Sequence, residues 1–227
     1  MWKALIISGG SVDNTLASDF LSKESVYKER IAVDGGLKIF KQCGKIPTFM
    51  VGDFDTIEKT ILQEFMQKDV PMHRDIAEKD WTDTQAAIES AIHKGCSEIH
   101  VLGATGGRMD HALANLYCLR IGERHGVRIR LYDRQNCIYL SREHEIIRKT
   151  EQYGRYISLL PLTEQVTGIT LKGLRYPLKD YTMTNDCSFC VSNEIIEDTA
   201  EIWKKEGSLL VMETKDLHLG RVLLCLG

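Results

Sequence analysis

Five short apolar runs in the first 132 residues constrain this chain more than any other feature. They occupy residues 4–8, 31–34, 49–52, 99–103 and 127–132. Helix-like stretches lie between them, at 37–43, 58–68, 83–94 and 112–123. Runs that are apolar throughout, rather than alternating, belong to strands buried on both faces, so the pattern predicts a mainly parallel sheet covered by helices on each side. The third helix has clear punctuation. Thr82 and Gln85 have capping-box spacing at its start, and Gly95 supplies the stop.

After about residue 136 the rhythm changes. Short β-rich segments at 137–140, 156–160, 166–171 and 209–212 are separated by turns at Gly154, Gly168, Gly173 and Gly207. Only 197–205 reads either as helix or as strand. The fold class expected is α/β: an N-terminal three-layer domain with a mainly parallel sheet over residues 1–134, then a small C-terminal antiparallel β-sandwich over 135–227.

With 227 residues the chain is long enough to bury a sizeable core. A net charge of −3 and the lack of a long basic run argue against a nucleic-acid partner. The opening MWKALIISGG is too short in its apolar part for a secretion signal, and no stretch has the length to cross a bilayer. These features predict a cytoplasmic protein without a membrane partner. Seven scattered cysteines read as reduced thiols. The pair Cys187 and Cys190 forms a lone CxxC whose Ser188 and Phe189 read as strand, with no second pair to complete a zinc site.

Chemistry concentrates where the apolar runs end. VDGG spans 33–36, GDFDT 52–56, KDWTDT 79–84 and GATGGRMDH 103–111. In an open α/β sheet the carboxyl ends of the strands line up along one edge, where ligands bind. Asp53 and Asp55 are two apart, so on extended backbone they face the same side, and such carboxylates repel unless a cation intervenes. A hard divalent ion such as Mg²⁺, shared with substrate phosphates, resolves the repulsion. Asp80 and Asp83 bracket Thr82. They suit a helix start in any protein, and the same helix start suits phosphate. Gly106 and Gly107, with Thr105 before them, let backbone N–H groups approach an anion, and Arg108 offers its planar fork. Asp110 and His111 lie in the first turn of the next helix, where a lone histidine is more often structural. The sequence has neither a Walker loop nor a GxGxxG fingerprint.

These motifs, followed by GLRYPL at 173–178 and VSNE at 191–194, resemble in their order the bacterial type of thiamine pyrophosphokinase, also called thiamine diphosphokinase. The resemblance spans nearly the whole chain. It implies transfer of the pyrophosphoryl group of ATP to the hydroxyl of thiamine, giving thiamine diphosphate and AMP, with Mg²⁺ required. It also implies a homodimer with active sites between subunits. By motif match the acidic site is Asp34, Asp53, Asp55 and Asp83, with Arg108 beside it and the metal on Asp53, Asp55 and Asp83. The nucleotide is expected against Gly9, Gly10, Gly35, Asp80, Thr82, Thr105, Gly106, Gly107, Arg108, Asp110 and His111. Thiamine is expected near Ser192 and Asn193. The chain departs from the pattern at Ser8, where many relatives have Asn, and at Ile195, where relatives often carry an aromatic residue.

The barrier to such a transfer is electrostatic and positional, because ATP is polyanionic and the hydroxyl is a poor nucleophile. Either Asp55 or Asp83 is placed by motif to accept the hydroxyl proton. Trp81, Tyr176 and Phe189 are candidates to face the cationic thiazolium, although each reads first as core. Competing readings are a pyrophosphokinase for another hydroxymethyl compound such as a pterin, a Mg²⁺-dependent phosphohydrolase, and a non-catalytic nucleotide or thiamine sensor.

Overall fold

The computed structural model describes residues 2–73 and 81–217. The first half runs β1 (Lys3–Ile7), α1 (Asn14–Ser22), β2 (Tyr27–Val33), α2 (Gly36–Gln42), β3 (Phe49–Val51), α3 (Lys59–Met66), β4 (Met72–His73), α4 (Asp83–His93), β5 (Glu98–Leu102), α5 (Met109–His125) and β6 (Arg128–Tyr132). All strand pairings within this half are parallel, in the order β4-β3-β2-β1-β5-β6. The chain therefore grows outward from β1 in one direction as far as β4. It then returns to the other side of β1 with β5, so the topological switch lies between β1 and β5.

Two apolar clusters sandwich the sheet. Leu5, Ile7, Ala32 and Met50 face Ala17 and Leu21 of α1, Leu37 and Phe40 of α2, and Ile61 and Phe65 of α3. Ala4, Ile6, Ile31, Val33, Ile99 and Val101 face Ala87, Ile88 and Ala91 of α4 and Leu119 of α5. Burial on both faces is what the apolar runs encode. The predicted start and stop of α4 are found: the Gln85 N–H donates to Thr82 Oγ1 at 3.3 Å, and Gly95 follows the helix at φ +80. The Gln85 side chain, however, donates to Glu89 at 2.9 Å, so only half of the capping box forms.

The second half comprises β7 (Asn136–Leu140), β8 (His144–Arg148), β9 (Tyr156–Pro161), β10 (Gln165–Lys172), β11 (Leu178–Thr184), β12 (Asn193–Glu194), β13 (Thr199–Trp203) and β14 (Leu209–Thr214). The ambiguous 197–205 segment is thus strand. Four strands, in the order β11-β10-β13-β8, form an antiparallel sheet. It packs through Ile147, Val166, Ile169, Leu171 and Ile202 onto Ile157, Leu159, Leu209 and Val211 of the large sheet. That is the expected sandwich, with one refinement. Its second layer is an extension of the parallel sheet, because β6 and β7 pair antiparallel and ten described strands run without a break as β12-β9-β14-β7-β6-β5-β1-β2-β3-β4. Among the described residues no helix is long and apolar enough to cross a membrane.

Candidate active site

A cleft of about 690 Å³ opens at the carboxyl edge of the parallel strands, at the switch between β1 and β5. Its walls are Ser8, Gly9, Gly10 and Ser11 after β1, Val33, Asp34 and Gly35 after β2, and Gly103, Ala104, Gly106, Gly107 and Arg108 after β5. Thr82, Asp83 and Thr84 at the start of α4, His111 and Asn115 of α5, and Thr56 complete it. The β1 and β5 turns meet backbone to backbone. A Cβ on Gly10 would lie 2.4 Å from the Gly103 carbonyl oxygen, and one on Gly103, at φ +73, would lie 2.5 Å from that of Ser8. Only glycine permits this approach, which leaves a wall of peptide groups suited to a phosphate chain.

Asp34 sits at the floor in the left-handed region, with φ +42. Its Oδ1 is buried and accepts no hydrogen bond, and Gly52 packs so tightly that a Cβ there would lie 1.9 Å from it. Burial, and then the charges of Asp83 and Asp53, push the Asp34 carboxyl up to about 7, against the opposing pull of the Phe54 N–H. Acidic groups from the β2 end, the turn after β3 and the start of α4 thus act on one buried carboxyl.

The GDFDT segment is not extended as expected. Val51 ends β3, and Asp53 accepts the Asp55 N–H at 3.0 Å in a tight turn. Phe54, at φ +58, buries its ring, which leaves Asp53 and Asp55 both exposed. Neither lines the cleft wall, although Thr56 does. Among the described residues no three His, Cys, Asp or Glu side chains are gathered closely enough to hold a metal by themselves. The residues nevertheless fit Mg²⁺, which takes one or two carboxylates and completes its shell with water and substrate phosphate. The orphaned Asp34 oxygen and the neighbouring Asp83 and Asp53 carboxylates are hard donors of the kind such an ion needs.

Arg108 and Asp110 form a forked pair, Nε to Oδ1 at 3.1 Å and an η nitrogen to Oδ2 at 2.5 Å, which holds the Asp110 carboxyl down at about 2. Asp110 also accepts the His111 N–H at 2.9 Å. Thr105 turns away from the cleft and donates to Asp133 at 2.6 Å. Asp80, with Lys79, lies outside the described residues.

Ser192 and Asn193 are not at this cleft within one chain. Asn193 begins β12, six strands from β1, or roughly 29 Å across a sheet with 4.8 Å spacing. Its buried amide accepts from the Tyr176 N–H at 3.0 Å and the Glu194 N–H at 2.9 Å, and donates to the Tyr176 carbonyl at 2.9 Å. Ser192, at φ +60, donates its N–H to Ser158 Oγ. The aromatic candidates Trp81, Tyr176 and Phe189 are exposed rather than core, each by half or more. Ser188 and Phe189 lie outside any strand, contrary to expectation, because the chain turns there after β11.

Sequence reasoning missed Ser11, Thr84 and Asn115, and treated Ser8 only as a departure. Ser8 Oγ and Thr84 Oγ1 lie 2.6 Å apart, both buried, and lock the β1 turn to the start of α4. Asn115 donates to the Ala104 carbonyl at 2.9 Å and braces the β5 turn. Asn115 had a usable signal, since it falls one helical turn after His111 and so shares its face. The contact between Ser8 and Thr84 spans 76 residues and had none.

Both halves of the chain are similar to known proteins. The family described as thiamin pyrophosphokinase, catalytic domain, matches residues 21–131, and thiamin pyrophosphokinase, vitamin B1 binding domain, matches residues 143–209. Thiamine pyrophosphokinase of Bacillus subtilis (strain 168) is 32% identical over 211 residues, which cover 93% of this chain and 98% of that protein. A crystal structure of thiamine pyrophosphokinase from Bacillus subtilis superposes with a TM-score of 0.84 at 30% identity, covering 95% of this chain and 100% of the other. One from Geobacillus thermodenitrificans gives 0.81 at 26% identity, covering 95% and 99%. The yeast enzyme, at 16% identity and a TM-score of 0.76 over 94% of this chain and 86% of its own, shares the fold. By both halves of its sequence and by its architecture, this chain belongs to the thiamine pyrophosphokinase family.

Proposed function

We propose that the cleft between β1 and β5 binds ATP and that its β-phosphorus is delivered to the hydroxyl of thiamine, releasing AMP. The observation that carries this reading is the buried, unpartnered Asp34 oxygen on the floor of a cleft that Asp83 and a wall of glycine turns also line, with Asp53 near enough to raise the Asp34 carboxyl. In this reading Gly9, Gly10, Gly35, Gly106 and Gly107 present the peptide wall to the phosphates. Thr82 and His111 flank the chain at two helix starts. Arg108 exchanges part of its pairing with Asp110 for a phosphate oxygen. One or two of Asp53, Asp55 and Asp83 would hold Mg²⁺ together with substrate phosphate, beside Asp34 and with Asp80 nearby in sequence; the ion would supply charge neutralisation as AMP departs. Asp55 or Asp83 receives the hydroxyl proton.

Ser192 and Asn193 serve thiamine, and we assign them to the cleft of a second copy. Two features support a homodimer: the strand separation within one chain, and the exposed Tyr176, Tyr181, Phe189, Val191 and Ile196 on the second half. We place the enzyme in the cytoplasm, where its cysteines stay reduced. Incubation with ATP, Mg²⁺ and thiamine should yield AMP and thiamine diphosphate in equal amounts. Formation of ADP and thiamine monophosphate refutes the reading, and release of phosphate without an acceptor identifies a hydrolase.

A further inference from the structure

Asp133 follows the last parallel strand, β6, and has no place in the motif set. Its carboxylate nevertheless gathers an unusual number of donors. Oδ1 accepts the backbone N–H of Gln135 at 2.7 Å and of Asn136 at 2.8 Å, and the Asn136 amide lies 2.9 Å from both oxygens. The remaining donor comes from elsewhere in the chain: Thr105 Oγ1, 28 residues earlier, at 2.6 Å to Oδ2. Tyr153 donates its hydroxyl to the Asp133 carbonyl, which fixes the turn from the second half. Thr105 sits between Ala104, braced by Asn115, and Gly106 and Gly107, which face the cleft.

We infer that Asp133 is a positioning residue, which through Thr105 fixes the glycine turn in the conformation that receives the nucleotide phosphates. A glycine pair is free to adopt many backbone conformations, and ordering it at the moment of binding costs affinity. A short charge-assisted bond immediately before the pair removes that freedom in advance. The carboxylate is itself held by the hairpin between β6 and β7, so the support is rigid. Thr105 therefore acts through its backbone neighbours and not by touching the nucleotide. This inference rests on the reading of the cleft as an ATP site.

The test uses Thr105→Val, which removes the hydroxyl but keeps the shape, and Thr105→Ser, which keeps the hydroxyl. For Thr105→Val we expect the KM for ATP, and the calorimetric Kd for a non-hydrolysable ATP analogue with Mg²⁺, to rise roughly tenfold. The KM for thiamine should stay within twofold of the parent protein, on the order of measurement scatter. Thr105→Ser should restore ATP binding. In an Asp133→Ala background, Thr105→Val should add nothing further, because the tether is already cut. Unchanged ATP binding in a folded Thr105→Val protein overturns the inference, as does an equal weakening for both substrates. If Asp133→Ala does not fold, the Val and Ser variants at 105 still decide the matter. If the parent protein fails to convert ATP and thiamine, the cleft assignment itself is wrong. A parent that turns over while Thr105→Val behaves like it sinks the positioning role alone.

Discussion

Asp34 shows how a functional group is set by neighbours more than by its own chemistry. The residue is an ordinary carboxylic acid held at a left-handed φ of +42, under the backbone of Gly52, with one oxygen unpartnered. A fold does not keep such a group for stability, since an orphaned buried oxygen costs about 1–3 kcal/mol. The charges of Asp83 and Asp53 add to that cost. Asp34→Asn keeps the shape and removes one of the repelling charges. We expect its melting temperature without Mg²⁺ to match or exceed that of the parent, while turnover falls on the order of a hundredfold. Turnover within twofold of the parent, on the order of assay scatter, in a folded variant would remove Asp34 from the reaction. The acidic motifs were legible because a carboxylate beside a glycine at a strand end is a visible local pattern. The hydroxyl pair of Ser8 and Thr84 was not legible, because its partners meet only through the tertiary fold.

At the level of elements, five of the six described parallel strands and the helices α2 to α5 could be read because their apolar residues are contiguous or periodic; β4, Met72–His73, is too short to carry such a run. α1 escaped notice. Its sequence NTLASDFLS is rich in residues that favour caps and turns, and its core contacts rest on Ala17 and Leu21 with Leu16 and Phe20 packed beside them. Its one clear signal was Asp13, which accepts the Leu16 N–H at 2.9 Å. β8, HEIIR, was hidden by its charges, although its burial alternates strictly.

The central strands also carry a polar chain that reaches across β1. Tyr27 of β2 bonds His100 Nδ1 at 2.8 Å, His100 Nε2 bonds Glu98 at 2.9 Å, and Glu98 pairs with Lys3 of β1 at 2.6 Å. The bond from His100, and then Lys3, holds the Glu98 carboxyl down at about 2, while burial lowers His100. Both groups have folded values below their free ones, so both stabilise above the free value and lose that contribution as pH falls. His100 acts from about 6.5 downward, and Glu98 from about 4.5 towards 2. For partly exposed Glu98 the contribution, discounted for solvent screening, is about 1–2 kcal/mol. Glu98→Gln should therefore lower the urea midpoint at pH 7, and the gap to the parent should close as the pH drops below 4.5. Parallel curves at all pH values would show that the Glu98 charge contributes nothing.

At the scale of the whole molecule, one continuous sheet holds the β1 cleft and the Ser192–Asn193 segment, which we assign to thiamine, six strands apart. The sequence announced a change of rhythm near residue 136, but nothing in it revealed that β7, β14 and β9 extend the parallel sheet, because those pairings join residues as far apart as Asn136 and Thr214. That extension carries Asn193 six strands away from the β1 turn, so a single chain cannot fold its own Ser192 and Asn193 over its own Asp34 without breaking the sheet. In the homodimer we propose, each chain would set its second half across the cleft of the other. The consequence is testable by mixing. Asp55→Asn damages the acidic site, and Asn193→Ala leaves the Tyr176 peptide groups without their amide partner, so each variant alone should be nearly inactive; Ser192→Ala replaces the second if it does not fold. When the two are unfolded and refolded together in equal amounts, random pairing makes about half of the dimers mixed. Each mixed dimer has one cleft with both lesions and one with neither, so activity should recover to roughly a quarter of the parent. No recovery despite verified subunit exchange would mean that each cleft is completed within its own chain, and a monomer by sedimentation at assay concentrations would sink the shared site outright.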